Sequence, residues 1–221
     1  ILAKIYKEYK VRRLMQLAAL GVHNERDSGY AKSKLDGQLS IQKNFPVANI
    51  LRPSVVYSVH DNLTTSFMTL LSRLPFVPLY YNGATKFAPI QCSDLTDTIY
   101  HVVSKNIYSK IVECIGPEVL SLKQILKKLL HLIDKKRLLV PLPLFAATMS
   151  AKVFQLFPKP LLTIDQLTLL KYDNIPSGKY QTNADIGVPS TRVFVNEVEK
   201  YSYMWREGGQ FSTKKYNAAN S

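Results

Sequence analysis

Residues 28–34 read Ser-Gly-Tyr-Ala-Lys-Ser-Lys, which puts Lys34 four positions after Tyr30. A phenol exchanges a proton with a ligand oxygen near neutrality only when its pKa falls well below the usual ~10. On a helix, a lysine one turn later shares the tyrosine's face, and its ammonium stabilises the phenolate. The spacing alone is weak evidence: the chain holds 13 tyrosines, and Tyr6 with Lys10 repeats the pattern. An isolated pair of this kind is most often a solvated helix face. A second run, Arg52-Pro53-Ser54-Val55-Val56-Tyr57, follows a short apolar stretch. His23, His60, His101 and His131 are widely separated, and Cys92 and Cys114 match no metal or redox spacing. No metal site is expected, and the cysteines read as reduced small hydrophobes.

The elements that must position these residues can be read from periodicity. The first ten residues alternate apolar and charged groups at helical spacing, unlike a signal or transit peptide. The apolar run 13–20, bounded by Gly21, predicts a strand buried on both faces. A helix over 29–43 carries Tyr30 and Lys34, and Pro46 introduces a second buried strand at 47–51. Helix, strand, helix and strand in that order imply a parallel sheet with crossover helices. Beyond it the pattern predicts a helix over 61–74, an apolar run at 76–81, an Asn82-Gly83 turn and a strand at 87–92. Ser93 is expected to cap a helix from Asp94 to about Lys105, before a strand at 111–115. Ser121 begins an amphipathic helix over 122–137. Leu122, Ile125, Leu126, Leu129 and Ile133 share one face, opposite Lys127, Lys128, His131 and Lys135. A further helix is expected over 144–157, and Thr163 with Gln166 reads as a capping box for the next. Trp205 is expected to anchor a terminal helix, ahead of a polar tail.

With 221 residues, 46% hydrophobic and 10% aromatic, the chain can bury a core of one or two domains, which excludes a wholly disordered protein. A net charge of +13 suits anionic partners such as nucleic acid, acidic lipid or an acidic protein face. Lysine far outnumbers arginine, the residue suited to bidentate phosphate recognition, so a compositional habit is the plainer account of the charge. The longest apolar tract, 138–157, is broken by Pro141, Pro143 and Lys152 and falls short of a membrane span. A soluble or peripheral protein is expected. The basic face of 122–137, and the segment 144–157 with Phe145, Phe154 and Phe157, are candidates for lipid, RNA or partner contact, with packing on the core the plainer reading.

In combination these segments are more specific. Residues 28–38 resemble the active-site helix of extended short-chain dehydrogenases, the NAD-dependent epimerase/dehydratase superfamily. Arg52–Tyr57 resembles the strand-end motif that lies against the nicotinamide in that family. Cys92-Ser93-Asp94 and Gly116-Pro117-Glu118 resemble its later junctions. Within the superfamily the chain most resembles the nucleotide-binding accessory subunits of NADH:ubiquinone oxidoreductase (complex I) and their bacterial relatives. That match is carried by residues 17–22, 30–34, 158–167 and 170–175. The resemblance implies an α/β fold: the C-terminal part of a Rossmann-like parallel sheet with a smaller mixed α/β substrate-side region, the N-terminal phosphate-binding half being absent. It divides the chain into a Rossmann remnant at 1–58, an interleaved substrate-side region with the last sheet elements at 59–207, and a tail at 208–221. Tyr30 and Lys34 become a vestigial catalytic pair. With Arg52, Pro53, Ser54 and Val55 they would touch the ribose and nicotinamide of NAD(P)H, bound weakly or not at all.

Three departures from the family pattern bear on activity. Ala18 stands where the family has the serine that assists the tyrosine, and a methyl cannot position a substrate oxygen. Ser58-Val59 replaces Gly-Pro, which would strain a loop needing positive φ. No Gly-x-x-Gly-x-x-Gly run exists to bring backbone N–H groups to a pyrophosphate. The expectation is therefore a non-catalytic accessory or assembly subunit of a respiratory NADH:quinone oxidoreductase, in truncated or split form. Its partners would be respiratory complex subunits or a separately encoded N-terminal half, with an anionic membrane surface as a further option and nucleic acid not expected. The place would be the bacterial cytoplasm or the mitochondrial matrix side, peripheral on the inner membrane. Two alternatives stand beside it: a sugar-nucleotide epimerase, dehydratase or reductase using Tyr30 and Lys34, and an RNA-binding protein on the same fold. An unpaired edge on a parallel sheet would leave the isolated chain unstable, aggregated or partner-bound.

Overall fold

The computed structural model describes residues 5, 9, 11, 13–22, 27–108, 110–142 and 164–211. Its largest sheet has four strands in the order β1 (Met15–Leu17), β2 (Asn49–Pro53), β7 (Ile111–Cys114) and β10 (Gln181–Thr182), every neighbouring pair parallel. The crossover from β1 to β2 runs through α1 (Gly29–Asn44), the predicted arrangement of helix and strands. Asn49, Ile50, Leu51 and Arg52 are all buried, as an interior parallel strand requires.

β1 differs from expectation. It spans three residues instead of eight, and Leu17 is 46% exposed. The reason is position: β1 has a neighbour on one side only among the described residues, so it is an edge strand. Gly21, at φ 80°, turns the chain away shortly after it. Pairing continues past the strand nonetheless, with Ala18 N–H donating to Leu51 O (2.8 Å) and Leu20 N–H to Pro53 O (2.9 Å).

The remaining elements form a second layer system. β3 (Val56–Tyr57) pairs with β6 (Ile90–Gln91), β4 (Phe76–Leu79) with β9 (Leu138–Pro141), both parallel, and β5 (Lys86–Phe87) antiparallel with β8 (Leu120–Ser121). Around them pack α2 (Thr64–Arg73), α4 (Leu122–Leu132) and α6 (Phe194–Ser202). The core here is built on α4, where Leu122, Ile125, Leu126, Leu129, Leu130 and Leu132 are buried. Each such side chain stabilises by about 1.5–3 kcal/mol on area grounds. A separate cluster of Leu51, Ile90, Leu95, Val102, Val112 and Cys114 joins the sheet to α3 (Cys92–Ser104).

Helix boundaries differ where capping chemistry was misread. Gln91, not Ser93, is the N-cap of α3: it is extended at φ −72°, ψ 140°, and its side chain accepts from Ser93 N–H. Ser121 does cap α4, in a full capping box with Gln124. α4 ends at Leu132, short of residue 137, because Asp134 is left-handed (φ 52°) and the chain then enters β9. The Asn82-Gly83 turn is present, with both residues at positive φ. Ser58 and Val59 keep negative φ, so replacing Gly-Pro there strains nothing. The expected helix 144–157, Thr163 of the capping pattern and His23 lie outside the described residues. Among those described, no helix is long and apolar enough to cross a membrane.

Candidate functional site

Ser28 begins the site. Its extended backbone (φ −94°, ψ 130°) makes it the N-cap of α1, and its hydroxyl accepts from Ala31 N–H at 3.2 Å. The next two N–H groups are taken from far along the chain. Asp165, on α5 (Ile164–Leu169), accepts from Gly29 at 2.8 Å and from Tyr30 at 3.3 Å. Tyr30 is thereby fixed in the first turn, about half exposed, and the Lys34 ammonium lies 5.7 Å from the centre of its ring.

The ring of Tyr30 faces the carboxyl end of β2. Between them is a cleft of about 170 Å³, lined by Ala19, Tyr30, Ser54, Val55, Phe87 and Tyr172 among others. Its walls are mostly apolar. Of the residues expected at the site, Tyr30, Ser54 and Val55 meet here. Lys34, Arg52 and Pro53 do not line the cleft. Arg52 is 2% exposed and lies under α1, where its Nε–H donates to Gln38 Oε1 at 3.0 Å. Pro53 pairs with Cys114 in the sheet, and its carbonyl accepts from Leu20. Ala18 is buried next to this strand end and presents a methyl group only.

Four residues of the wall, Leu169, Leu170, Tyr172 and Asn174, come from far along the chain. Asn174 ties it together: its Oδ1 accepts from the Ser54 hydroxyl (2.7 Å), its Nδ2 donates to Leu20 O (3.0 Å), and its backbone bonds Lys86 and Ala88. The Tyr172 hydroxyl donates to Asp27 at 3.1 Å. The segment 164–174 thus closes one side of the cleft. Nothing in the periodicity of Leu-Lys-Tyr-Asp-Asn-Ile signals that it folds back over residues 20–54. Tyr57, by contrast, turns inward. It is buried against Phe194, donates to Arg192 O at 3.2 Å, and burial together with the charges of Glu197 and Asp94 holds its phenol well above the ordinary range.

The close packing that shapes this region depends on one glycine. A Cβ at Gly116 would meet the Pro89 carbonyl oxygen at 1.8 Å, so only glycine lets the β7 exit pass β6. Among the described residues no group of His, Cys, Asp and Glu is arranged to hold a metal ion. Tyr30 lines the cleft, and the Lys34 ammonium stands beside its ring. Of the first N–H groups of α1, those of Gly29, Tyr30 and Ala31 are already paired, so this helix terminus offers those donors to no other anion.

No family model matches the chain. Among curated proteins it is similar to the NADH dehydrogenase [ubiquinone] 1 alpha subcomplex subunit 9, mitochondrial, of Arabidopsis thaliana, at 23% identity over 94% of this chain and 54% of the relative. The mouse protein of that name is likewise 23% identical, covering 99% of this chain and 60% of its own length. The chain therefore spans between half and two thirds of the curated relatives it matches. Among solved structures, a UDP-glucose 4-epimerase from Thermotoga maritima superposes with a TM-score of 0.64 at 12% identity, over 90% of this chain and 64% of that one. A dTDP-glucose 4,6-dehydratase from Streptomyces venezuelae, solved with NAD, gives 0.64 at 17%, over 92% and 62%. The chain shares the Rossmann-like α/β fold of this epimerase and this dehydratase.

Proposed function

We propose that this chain is a non-catalytic accessory or assembly subunit of a respiratory NADH:quinone oxidoreductase, built on an epimerase/dehydratase-type fold that keeps the nicotinamide end of a dinucleotide site. The observation that carries this reading is the similarity to complex I alpha subcomplex subunit 9, which runs along nearly the whole chain. Ala18 supports it chemically: a phenol at position 30 has no neighbouring hydroxyl from that position to share a substrate oxygen. The residues that would hold a nicotinamide and its ribose are Tyr30 and Lys34 from α1 and Ser54 and Val55 after β2. A bound dinucleotide would supply a redox-active ring. The chain's own groups would orient the ribose hydroxyls and cover one face of the ring with apolar surface.

The pyrophosphate needs donors from elsewhere. The open side of β1, with Leu17 exposed, is where a further parallel strand and its phosphate-binding turn would extend the sheet. On this reading residues 1–58 belong to the dinucleotide domain, 59–207 to the interleaved substrate-side region and 208–221 to a tail. NAD(P)H affinity of the chain alone is then weak. The relatives are named as mitochondrial, which supports a mitochondrial place of work, on this reading the matrix face of the inner membrane.

The test is blue-native electrophoresis of membranes from cells making a tagged form. Co-migration of the tag with NADH:quinone oxidoreductase activity is expected. Migration as a free protein, or turnover of a nucleotide-sugar that disappears in Tyr30→Phe, would overturn the proposal in favour of an enzyme.

A further inference from the structure

The helix that carries Tyr30 and Lys34 has almost no apolar stripe: along α1 only Ala31 and Gln38 are buried. Gln38 stands one turn beyond Lys34 and two beyond Tyr30, so the three follow one another along the helix. It is 1% exposed, and its amide is engaged at both ends. Oε1 accepts the Nε–H of Arg52 at 3.0 Å, and Nε2 donates to Gln42 Oε1 at 3.1 Å.

Arg52 belongs to the interior strand β2, and its guanidinium lies 4.5 Å from the centre of the Tyr180 ring. On β7 its register partner is Glu113, 1% exposed, which accepts from the Ser177 N–H (2.8 Å) and hydroxyl (2.7 Å). A row of buried polar groups therefore crosses α1, β2, β7 and the loop at 177–180. Such a row constrains differently from apolar packing. Apolar packing fixes a helix's roll only through the shapes of its side chains, because the hydrophobic attraction itself is non-directional. A hydrogen bond weakens steeply as its angle closes, and a rolled helix would leave a buried guanidinium N–H without its acceptor.

We propose that the Arg52–Gln38 bond sets the rotation of α1 about its axis and so aims Tyr30 at the cleft, with Lys34 beside its ring. Arg52 and Gln38 are then positioning residues, and the arginine of the Arg-Pro-Ser run acts through Gln38 without touching a ligand. The consequence for ligand binding rests on the reading of Tyr30 and Lys34 given above; the rotation itself does not.

The experiment uses the whole chain with 3-fluorotyrosine at position 30, read by fluorine-19 NMR without cofactor. The parent is expected to give one sharp resonance. Gln38→Leu, which keeps the volume but removes the acceptor, and Arg52→Lys, which keeps the charge but loses Nε, should each shift or split it while far-UV circular dichroism stays native. Gln38→Glu keeps an acceptor for Arg52 and should restore a single line. An unchanged line in folded Gln38→Leu and Arg52→Lys would overturn the proposal. So would loss of folding in all three variants, since the pair would then hold the core and not the helix's angle. If only Gln38→Leu fails to fold, Arg52→Lys decides. NAD(P)H titration of the same samples reports the site reading separately: a responsive line in a parent that binds no dinucleotide in any assembly retains the rotation and discards the site.

Discussion

Cys92 and Cys114 have the same chemistry and opposite surroundings. Cys92 is exposed at the start of α3, while burial on β7 pushes the Cys114 thiol up to about 12. At pH 7.5 one thiol should react rapidly with a disulfide reagent and the second only after unfolding; two fast thiols in native protein would contradict the core described for the sheet. Tyr57 and Tyr201 provide a pH counterpart. Burial is the first cause of both upward shifts, followed for Tyr57 by the charges of Glu197 and Asp94. Their folded pKa values lie above the unfolded ~10, so their stabilisation is complete below that pH and is lost as pH rises beyond it. Alkaline titration should show an abrupt tyrosinate step coincident with loss of circular dichroism. A smooth titration of all 13 tyrosines around pH 10, with the fold intact, would rule this out. At this scale Tyr30, Ser54 and Val55 were legible only through the family resemblance of their two runs, and the structure brings all three to one cleft. Asn174 and Asp165 were not, since they join the site from 120 and 136 residues away, through hydrogen bonds that leave no periodic trace.

The elements differ in what holds them. α4 combines a capping box with six buried apolar side chains, and magnitudes decide between the two. Ser121→Ala should cost about 1 kcal/mol, whereas Leu129→Ala, at a wholly buried position, should cost about 2–5 kcal/mol. Urea unfolding of the two variants checks the order, and equal losses would mean that the end of the helix governs its stability. α4 was readable because its apolar face and its cap are both local signals. Its end was not. Nothing in Asp134-Lys135-Lys136 stops an amphipathic pattern, and the left-handed turn at Asp134 follows from the need to bring β9 alongside β4. The start of α3 was misplaced for a similar reason, with Gln91 reaching the cap from within the preceding strand. α1 is the opposite case, held in place more by polar bonds than by hydrocarbon.

At the scale of the whole molecule, two features dominate: the parallel sheet and the side of β1 that no strand pairs with among the described residues. The order of helices and strands disclosed the sheet, but Met15–Leu17 read as interior strand because apolar content does not reveal whether a neighbour is present. Leu17 on that edge should make the isolated chain's association concentration-dependent, and Leu17→Lys should reduce it, as a charge on an edge strand blocks further pairing. Sedimentation at several loadings measures this; a monomer at every concentration in both forms would count against an adhesive edge. The Asp165 bridge to Gly29 and Tyr30 carries a last consequence, for synthesis. Chains emerge from the ribosome at about 5–20 residues per second. α1 therefore waits on the order of ten seconds for the carboxylate that completes its first turn, and a little longer for the Asn174 side chain that locks Ser54. The site is therefore completed 120 to 136 residues after the segments at its centre are made, with β10 and α6 still to follow.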